Sequence, residues 1–451
     1  MKLETINNKI GGKTFYQYMI KRLFFLFIAA LALLTACSDN DSFSIDGSHR
    51  LSFSADTIRM DTLFATVPSS TYTFWVHNRS NDGIRLRSVR LERGGQSGFR
   101  VNVDGTFLNP VATNLEIRKG DSIRVFVEIT AFENMYAEPQ LVEDNLLFAL
   151  ESGVEQKVNL RTYSWNAQQW QTLTVSEDMT IESETPIVVY QGIHVEKGAT
   201  LTIRNTTLYF HDGAGITVEG QLKADHAIFR GDRLDHMFNY LPYDRVSGQW
   251  RGIKVLPRSV GCTINDSEIR NACDALHCDT TTVNLTNTVV HNNAGFGLWA
   301  HDSEVTIDNC VLSNAKNDCL ALLGCQAVVN QTTLAQFYPF SANRGVALRF
   351  APTQRKLQLT CTNTLVTGYE DDVIMGEVDE ETEYFFKNCL LRTPEADKAE
   401  RFQEILWEKK DDEVQGKQHF VLFDDDNLLY DFDVKEESPA YEKKIGRRKN
   451  L

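Results

Sequence analysis

With 451 residues the chain exceeds one ordinary domain, and an apolar fraction of 42% suffices for a substantial core. A formal net charge of −15 argues against a nucleic-acid partner, because such binding is driven by Lys and Arg neutralising phosphates. The charge leaves the fold open.

Lys21 and Arg22 precede an apolar run at 23–34 that ends in Thr35-Ala36-Cys37. A basic segment, about a dozen apolar residues and a small-residue junction form a secretory signal, too short to span a bilayer as a permanent helix. The sequence LTAC at 34–37 resembles the bacterial lipobox, which implies lipidation of Cys37. SDND at 38–41 is similar to the acidic export signal of surface-exposed lipoproteins of the Bacteroidetes. These resemblances imply an outer-membrane lipid anchor and exposure at the cell surface. Residues 1–36 are then the signal, with Met19 as an alternative start, and 37–48 an acidic flexible tether.

Residues 49–164 carry short alternating runs at 71–77, 84–91, 99–103, 115–117, 122–129, 145–150 and 158–163. Turn signals such as Asn81-Asp82-Gly83 and Lys119-Gly120-Asp121 separate them, a pattern that predicts an antiparallel β-sandwich. The Cys pair of antibody-type domains is missing, so the sandwich depends on its apolar core. It resembles the Ig-like modules that precede repeat domains in bacterial surface proteins, which implies a spacer or docking role. The irregular stretch 165–186 is expected to cap the first coil of a repeat region that begins at 187.

From 187 to 393 a short phrase recurs, with first residues Asp266, Asn287, Asn309, Gln331, Asn363 and Asn388 in steps of 21, 22, 22, 32 and 25. The same phrase stands upstream at Asn205 and Asp225. Periods in this range mark a solenoid, in which each turn buries its apolar face on the next. Each repeat holds three apolar pulses, for example Leu276 and Cys278, then Val283 and Leu285, then Thr288 and Val290. Three short strands per turn would stack equivalent positions about 4.8 Å apart. The pattern resembles the right-handed parallel β-helix. The polar first residue suits a left-handed corner and a ladder of amide hydrogen bonds.

Two interruptions are expected as loops, 232–250 and 338–345. The first carries Phe238, Tyr240, Tyr243 and Trp250, a candidate binding loop. Its block GDRLDHMFNYLPYDRVSGQWRGI resembles one in β-helix lipoproteins of Bacteroidetes with a pectate-lyase-like domain, a family that implies no particular activity. After 393 the repeat fades; Phe402, Ile405, Leu406 and Trp407 lie on a helical spacing, and 394–451 is expected to form a C-terminal cap and tail. The fold class is therefore all-β: an N-terminal Ig-like sandwich, a right-handed parallel β-helix solenoid and a small cap.

Eight cysteines follow Cys37. Cys278, Cys310 and Cys389 fall on inward positions and are expected as core thiols, whereas Cys273, Cys319 and Cys325 fall at corners where a local bridge is open to them. No Cys/His metal spacing occurs, so no metal site is expected.

Outward positions of the first strand bring Lys254, His277 and Trp299 onto consecutive coils, Asp279 and His301 beside them, and Arg349 further along. An aromatic ring beside cations and a carboxylate suggests a glycan-binding face; the plainer reading has Trp299 packed beneath a loop and the histidines solvated. Asp274 and Asp318 stand at equivalent corners two coils apart, about 9–10 Å between backbones, the separation an inverting glycosidase uses. NDCLAL at 317–322 is faintly similar to the acidic motif of polygalacturonases, but Asn317 replaces its first acid and no second motif accompanies it. Corner aspartates ordinarily cap turns. The balance favours a non-catalytic binding or structural module without a cofactor. A polysaccharide lyase or glycoside hydrolase is the runner-up, Ca2+ entering only with a lyase; protein–protein adhesion is a third reading.

Overall fold

A computed structural model describes residues 42–379, 382–395, 400–408 and 416–448. The expected signal and Cys37 lie outside the described residues.

The first part is a two-layer sandwich. One sheet orders Leu51–Phe53, Tyr72–Asn78, Ser122–Ile129, Phe99–Val103 and Thr106–Phe107; the other orders Thr57–Arg59, Glu155–Trp165, Gln140–Leu150, Ile84–Leu91 and Val111–Ile117. Strict alternation makes this possible: in Ser122–Ile129 the residues Ile123, Val125, Val127 and Ile129 are buried while their neighbours are not. They meet Leu86, Val89, Leu146, Phe148 and Leu160 of the opposite sheet in one core. Each such fully buried side chain contributes roughly 1.5–3 kcal/mol.

A single path of parallel pairings then runs from Gln168–Val175 to Leu406–Trp407. Successive coils repeat a first strand (Gly252–Val255, Leu276–Asp279, Leu298–His301, Leu320–Leu323, Leu348–Ala351), a second (Gly261–Asn265, Thr282–Thr286, Glu304–Asp308) and a third (Glu268–Arg270, Val289–Asn293, Val311–Ala315). The result is an all-β parallel β-helix. Its interior stacks like on like, as in Leu276, Leu298, Leu320 and Leu348.

The corners explain the recurring phrase. Asn205, Asp266, Asn287, Asn309, Gln331, Asn363 and Asn388 all hold φ between 45° and 51°, a left-handed conformation that Asn tolerates best after Gly. Asn287 donates to Asp266 (3.0 Å), Asn309 to Asn287 (2.8 Å) and Asn388 to Asn363 (2.7 Å), so the ladder runs in two stretches, broken where Gln331 donates to the Lys444 carbonyl and Asn363 to Asn330. One register differs from expectation. The corner residue after Asn205 is His226, φ 50°, and Asp225 pairs with Arg204 and Asn265, one position before the corner. A second amide row, Asn271, Asn292 and Asn314, turns the corner from third to first strand, with Asn292 donating to Asn271 at 3.0 Å.

The expected boundaries shift at both ends. Gln168–Val175 and Met179–Glu182 already pair in parallel with the strands above them, so 165–186 is mostly solenoid. At the other end Phe402–Gln403 and Leu406–Trp407 pair with the preceding coil where the spacing predicts a helix. Stacking decides this: Phe402 lies parallel to Phe386 at 5.4 Å and continues an aromatic column in the core. Residues 416–448 run as a strap along the outside of the third sheet, where Phe420, Phe432, Val434 and Ile445 bury Val311, Leu365 and Leu390. Cys262, Cys278, Cys310, Cys319, Cys325, Cys361 and Cys389 are buried, and all are free thiols, as is the exposed Cys273.

Candidate functional site

The outer face of the first sheet holds one row, His194, Thr217, Lys254, His277, Trp299, Ala321, Arg349 and Met375, each paired with the next coil. The alternation that sends Ile253, Leu276 and Leu298 inward sends these residues outward.

At the start of these strands a glycine recurs: GIHV from Gly192, GITV from Gly215 and GIKV from Gly252. A Cβ at Gly215 would lie 2.6 Å from the Gly252 carbonyl oxygen, and one at Gly252 would overlap that of Asp274 outright. Only glycine admits this approach, so the coils close on one another and leave a trough with backbone as its floor. The trough encloses about 630 Å³ and is lined by Gly215, Thr217, Arg251, Lys254, Asp274 and His277. Sequence reasoning missed the glycines and Arg251, although the repeated Gly-Ile-x-Val phrase was there to be read.

Beyond the trough three rings pack together. His277 stacks on Trp299 at 4.2 Å and 22°, and His301 lies parallel to Trp299 at 5.6 Å and 6°. His277 thus covers one face of the indole, while His301 lies beside it in an offset arrangement. Burial holds the His277 imidazole below its ordinary value, with Asp274 working against the shift and Lys254 with it. His301 contacts Asp279 at 3.0 Å. Partial burial opposes ionisation of Asp279, but hydrogen bonds from His301 and Thr280 keep its carboxyl below the usual range.

Arg349 does not join this group. Ala321 separates it from Trp299, and its Nε and Nη2 donate to both carboxylate oxygens of buried Asp318, at 2.5 and 3.1 Å. That pair flanks a separate polar recess of about 690 Å³ with Phe296, Lys316, Arg344 and Glu370.

Asp274 and Asp318 both behave as corner caps. The Asp274 Oδ1 accepts the Phe296 N–H (2.8 Å), and the Asp318 Oδ1 accepts that of Val346 (2.9 Å). Asp318 spends further capacity on Arg349, whereas the Asp274 carboxylate accepts through Oδ1 and lines the trough. The cation cluster that a lyase would use is not formed by Asp274, Asp279 and Asp318. Among the described residues three potential metal ligands converge only at Asp225, His226 and Asp266, a largely exposed corner of the second sheet.

The aromatic loop divides. Phe238 and Tyr240 are exposed and stacked on each other at 5.6 Å. Arg233 covers Tyr243 at 3.9 Å. Trp250 is fully buried, stacked on Phe210 at 4.5 Å with Nε1 donating to the Arg270 carbonyl, and is closed to any ligand. The loop's hydrogen bonds run to Asn271 and Asn292 at the third corner, to Tyr338, to Asn427 of the strap and to the sandwich.

No curated protein matches the chain. Similar solved structures include the catalytic unit of a thermostable GH87 α-1,3-glucanase from Streptomyces thermodiastaticus, at 9% identity over 75% of this chain and 89% of that one, TM-score 0.30. A family 123 glycoside hydrolase from Clostridium perfringens aligns at 9% identity over 27% of this chain, TM-score 0.19, and this chain spans 30% of its length. The E. coli chaperone DraB aligns at 13% identity over 26% of this chain and 55% of its own, TM-score 0.18. None of these likenesses bears on activity. Residues 175–334, the heart of the parallel path, match the family model of the right-handed β-helix region.

Proposed function

We propose that this chain is a lipid-anchored protein of the outer cell surface whose β-helix binds a glycan, without transforming it, in the glycine-floored trough of the first sheet. The trough itself carries the reading. Its floor presents backbone and Thr217, its walls Arg251, Lys254 and Asp274, and His277 closes one end. Hydroxyl-rich ligands are held by such converging donors and acceptors around a few planar groups. Trp299, stacked on His277, holds that ring in place.

The non-catalytic part of the reading rests on the two corner carboxylates, both engaged by backbone N–H groups and one also by Arg349. Affinity electrophoresis of the mature protein in a panel of neutral and acidic polysaccharides tests the proposal. Retention on at least one glycan is expected, with no new reducing ends and no unsaturated products, with or without calcium. The Arg251→Ala/Lys254→Ala double variant should lose about tenfold in affinity, roughly 1.4 kcal/mol. Retention unchanged in that variant would move the site elsewhere, and new reducing ends would make the protein an enzyme. Cys37→Ser should abolish incorporation of labelled palmitate.

A further inference from the structure

The anchored end of the sandwich can be identified from the way the chain enters it. The tether, expected to be flexible to residue 48, is fixed from Ser42: Gly83 N–H donates to the Ser42 carbonyl (2.8 Å), Ser44 N–H to the Gly83 carbonyl (2.9 Å) and the Ser42 hydroxyl to Asp82 (2.8 Å). Phe43 packs so close to Gly83 that a Cβ there would lie 2.7 Å from its ring, and Arg85 covers that ring at 4.6 Å. Five residue steps separate Cys37 from Ser42, a reach of at most about 18 Å.

The segment docks at one particular end. The Asn78 carboxamide donates to the carbonyls of Asp82, Ile117 and Arg118, which ties the turns 79–83 and 118–121 together. These turns expose Arg79, Arg118 and Lys119 beside the acids Asp82 and Asp121, so the face is nearly neutral in a chain of net charge −15. The opposite end of strand Tyr72–Asn78 meets the solenoid, through Ser70 with Asp235 and Asp61 with His236. Seven residues of strand put about 20 Å between the two ends.

We propose that the face formed by the turns 79–83 and 118–121 lies against the lipid headgroups, held there by the short reach from Cys37 to the docked Ser42, and that the sandwich is a stand-off that holds the solenoid and its trough away from the bilayer. The proposal rests on the lipid-anchor reading. In a Cys273→Ser background, Lys119→Cys and Tyr240→Cys place one fluorophore on the turn face and one on the exposed hairpin at the solenoid end. The lipidated proteins are reconstituted in vesicles whose headgroups carry a nitroxide quencher, and the mass of the N-terminal peptide reports acylation of Cys37. Quenching several-fold stronger at 119 than at 240 is expected, and Arg79→Cys should repeat it. Acylated protein with equal or stronger quenching at 240 overturns the orientation alone. A peptide without acyl chains overturns the anchor and the orientation with it.

Discussion

At the scale of single residues, the solenoid depends on side chains that make a left-handed corner tolerable. Asn309 is buried, holds φ at 49° and donates to Asn287. Asn309→Ala should cost about 2–3 kcal/mol, about 1–2 for the backbone conformation and about 1 for the hydrogen bond. Asn309→Gly should recover the backbone part, and urea denaturation of the two variants separates the contributions. Equal destabilisation by Ala and Gly would assign the whole effect to the ladder. The ladder was legible because its chemistry is residue-specific: few side chains other than Asn both accept this corner and bond along it. It failed at 225–226, where Asp and His are both polar and only pairing register chooses His226. The glycine floor escaped for the opposite reason, since glycine adds nothing to an apolar period and its role shows only once coils approach.

At the scale of elements, the strap over the third sheet meets a buried charged cluster of the last coils through His419. Arg392 is fully buried with Nη1 at 3.8 Å from Glu408, and Glu408 also receives Thr367 (2.6 Å) and His419 (3.2 Å). His419 continues to Ser438, the cap of the short terminal helix. Arg392 keeps Asp371 at 3.4 Å and the Glu370 carbonyl when Glu408 is lost, so Glu408→Gln should cost about 1–3 kcal/mol, while Glu408→Leu with Arg392→Met should restore much of it. A double variant no better than the single would show that the ions are individually required. The strap also has a titrating contact. Burial against Tyr430 and Phe432, helped by Arg270 and opposed by Asp244, lowers His291 to about 4. A histidine depressed in the fold takes up a proton on unfolding, so its contribution is present above about pH 6.5 and lost as pH falls toward 4. The melting temperature of the wild type should therefore fall across that window more than that of His291→Asn. Parallel pH curves would remove His291 as the cause. Sequence spacing could not show the last coil beneath the strap, because Phe402, Ile405 and Trp407 satisfy a helical period while the preceding coil supplies partners for strands. A local pattern loses to a stacking surface already in place.

At the scale of the whole molecule, sandwich and solenoid have separate cores joined by a small third one. Phe64 is its centre, buried, edge-on to Tyr209 at 4.9 Å and stacked near Trp165 at 6.1 Å. Around it Gln169 donates to the Ala65 carbonyl, and the pairs Asp61–His236 and Ser70–Asp235 bind the aromatic loop to the sandwich. Strand Glu155–Trp165 enters this junction directly from the sandwich, and the first solenoid strand starts at Gln168. Two residues of connection leave little freedom for independent movement, and the aromatic contact couples what the chain already holds close. Phe64→Ala should remove about 3–5 kcal/mol, almost all of it from the junction rather than from either core. The wild type is then expected to melt in one calorimetric transition and the variant in two, the solenoid keeping the higher one because its core is the larger. His236→Ala, which removes a polar clamp and leaves the rings in place, should lower the single transition without splitting it. If Phe64→Ala still melts in one step, the cores are coupled by the chain connection, and the stand-off would be rigid without its aromatic joint.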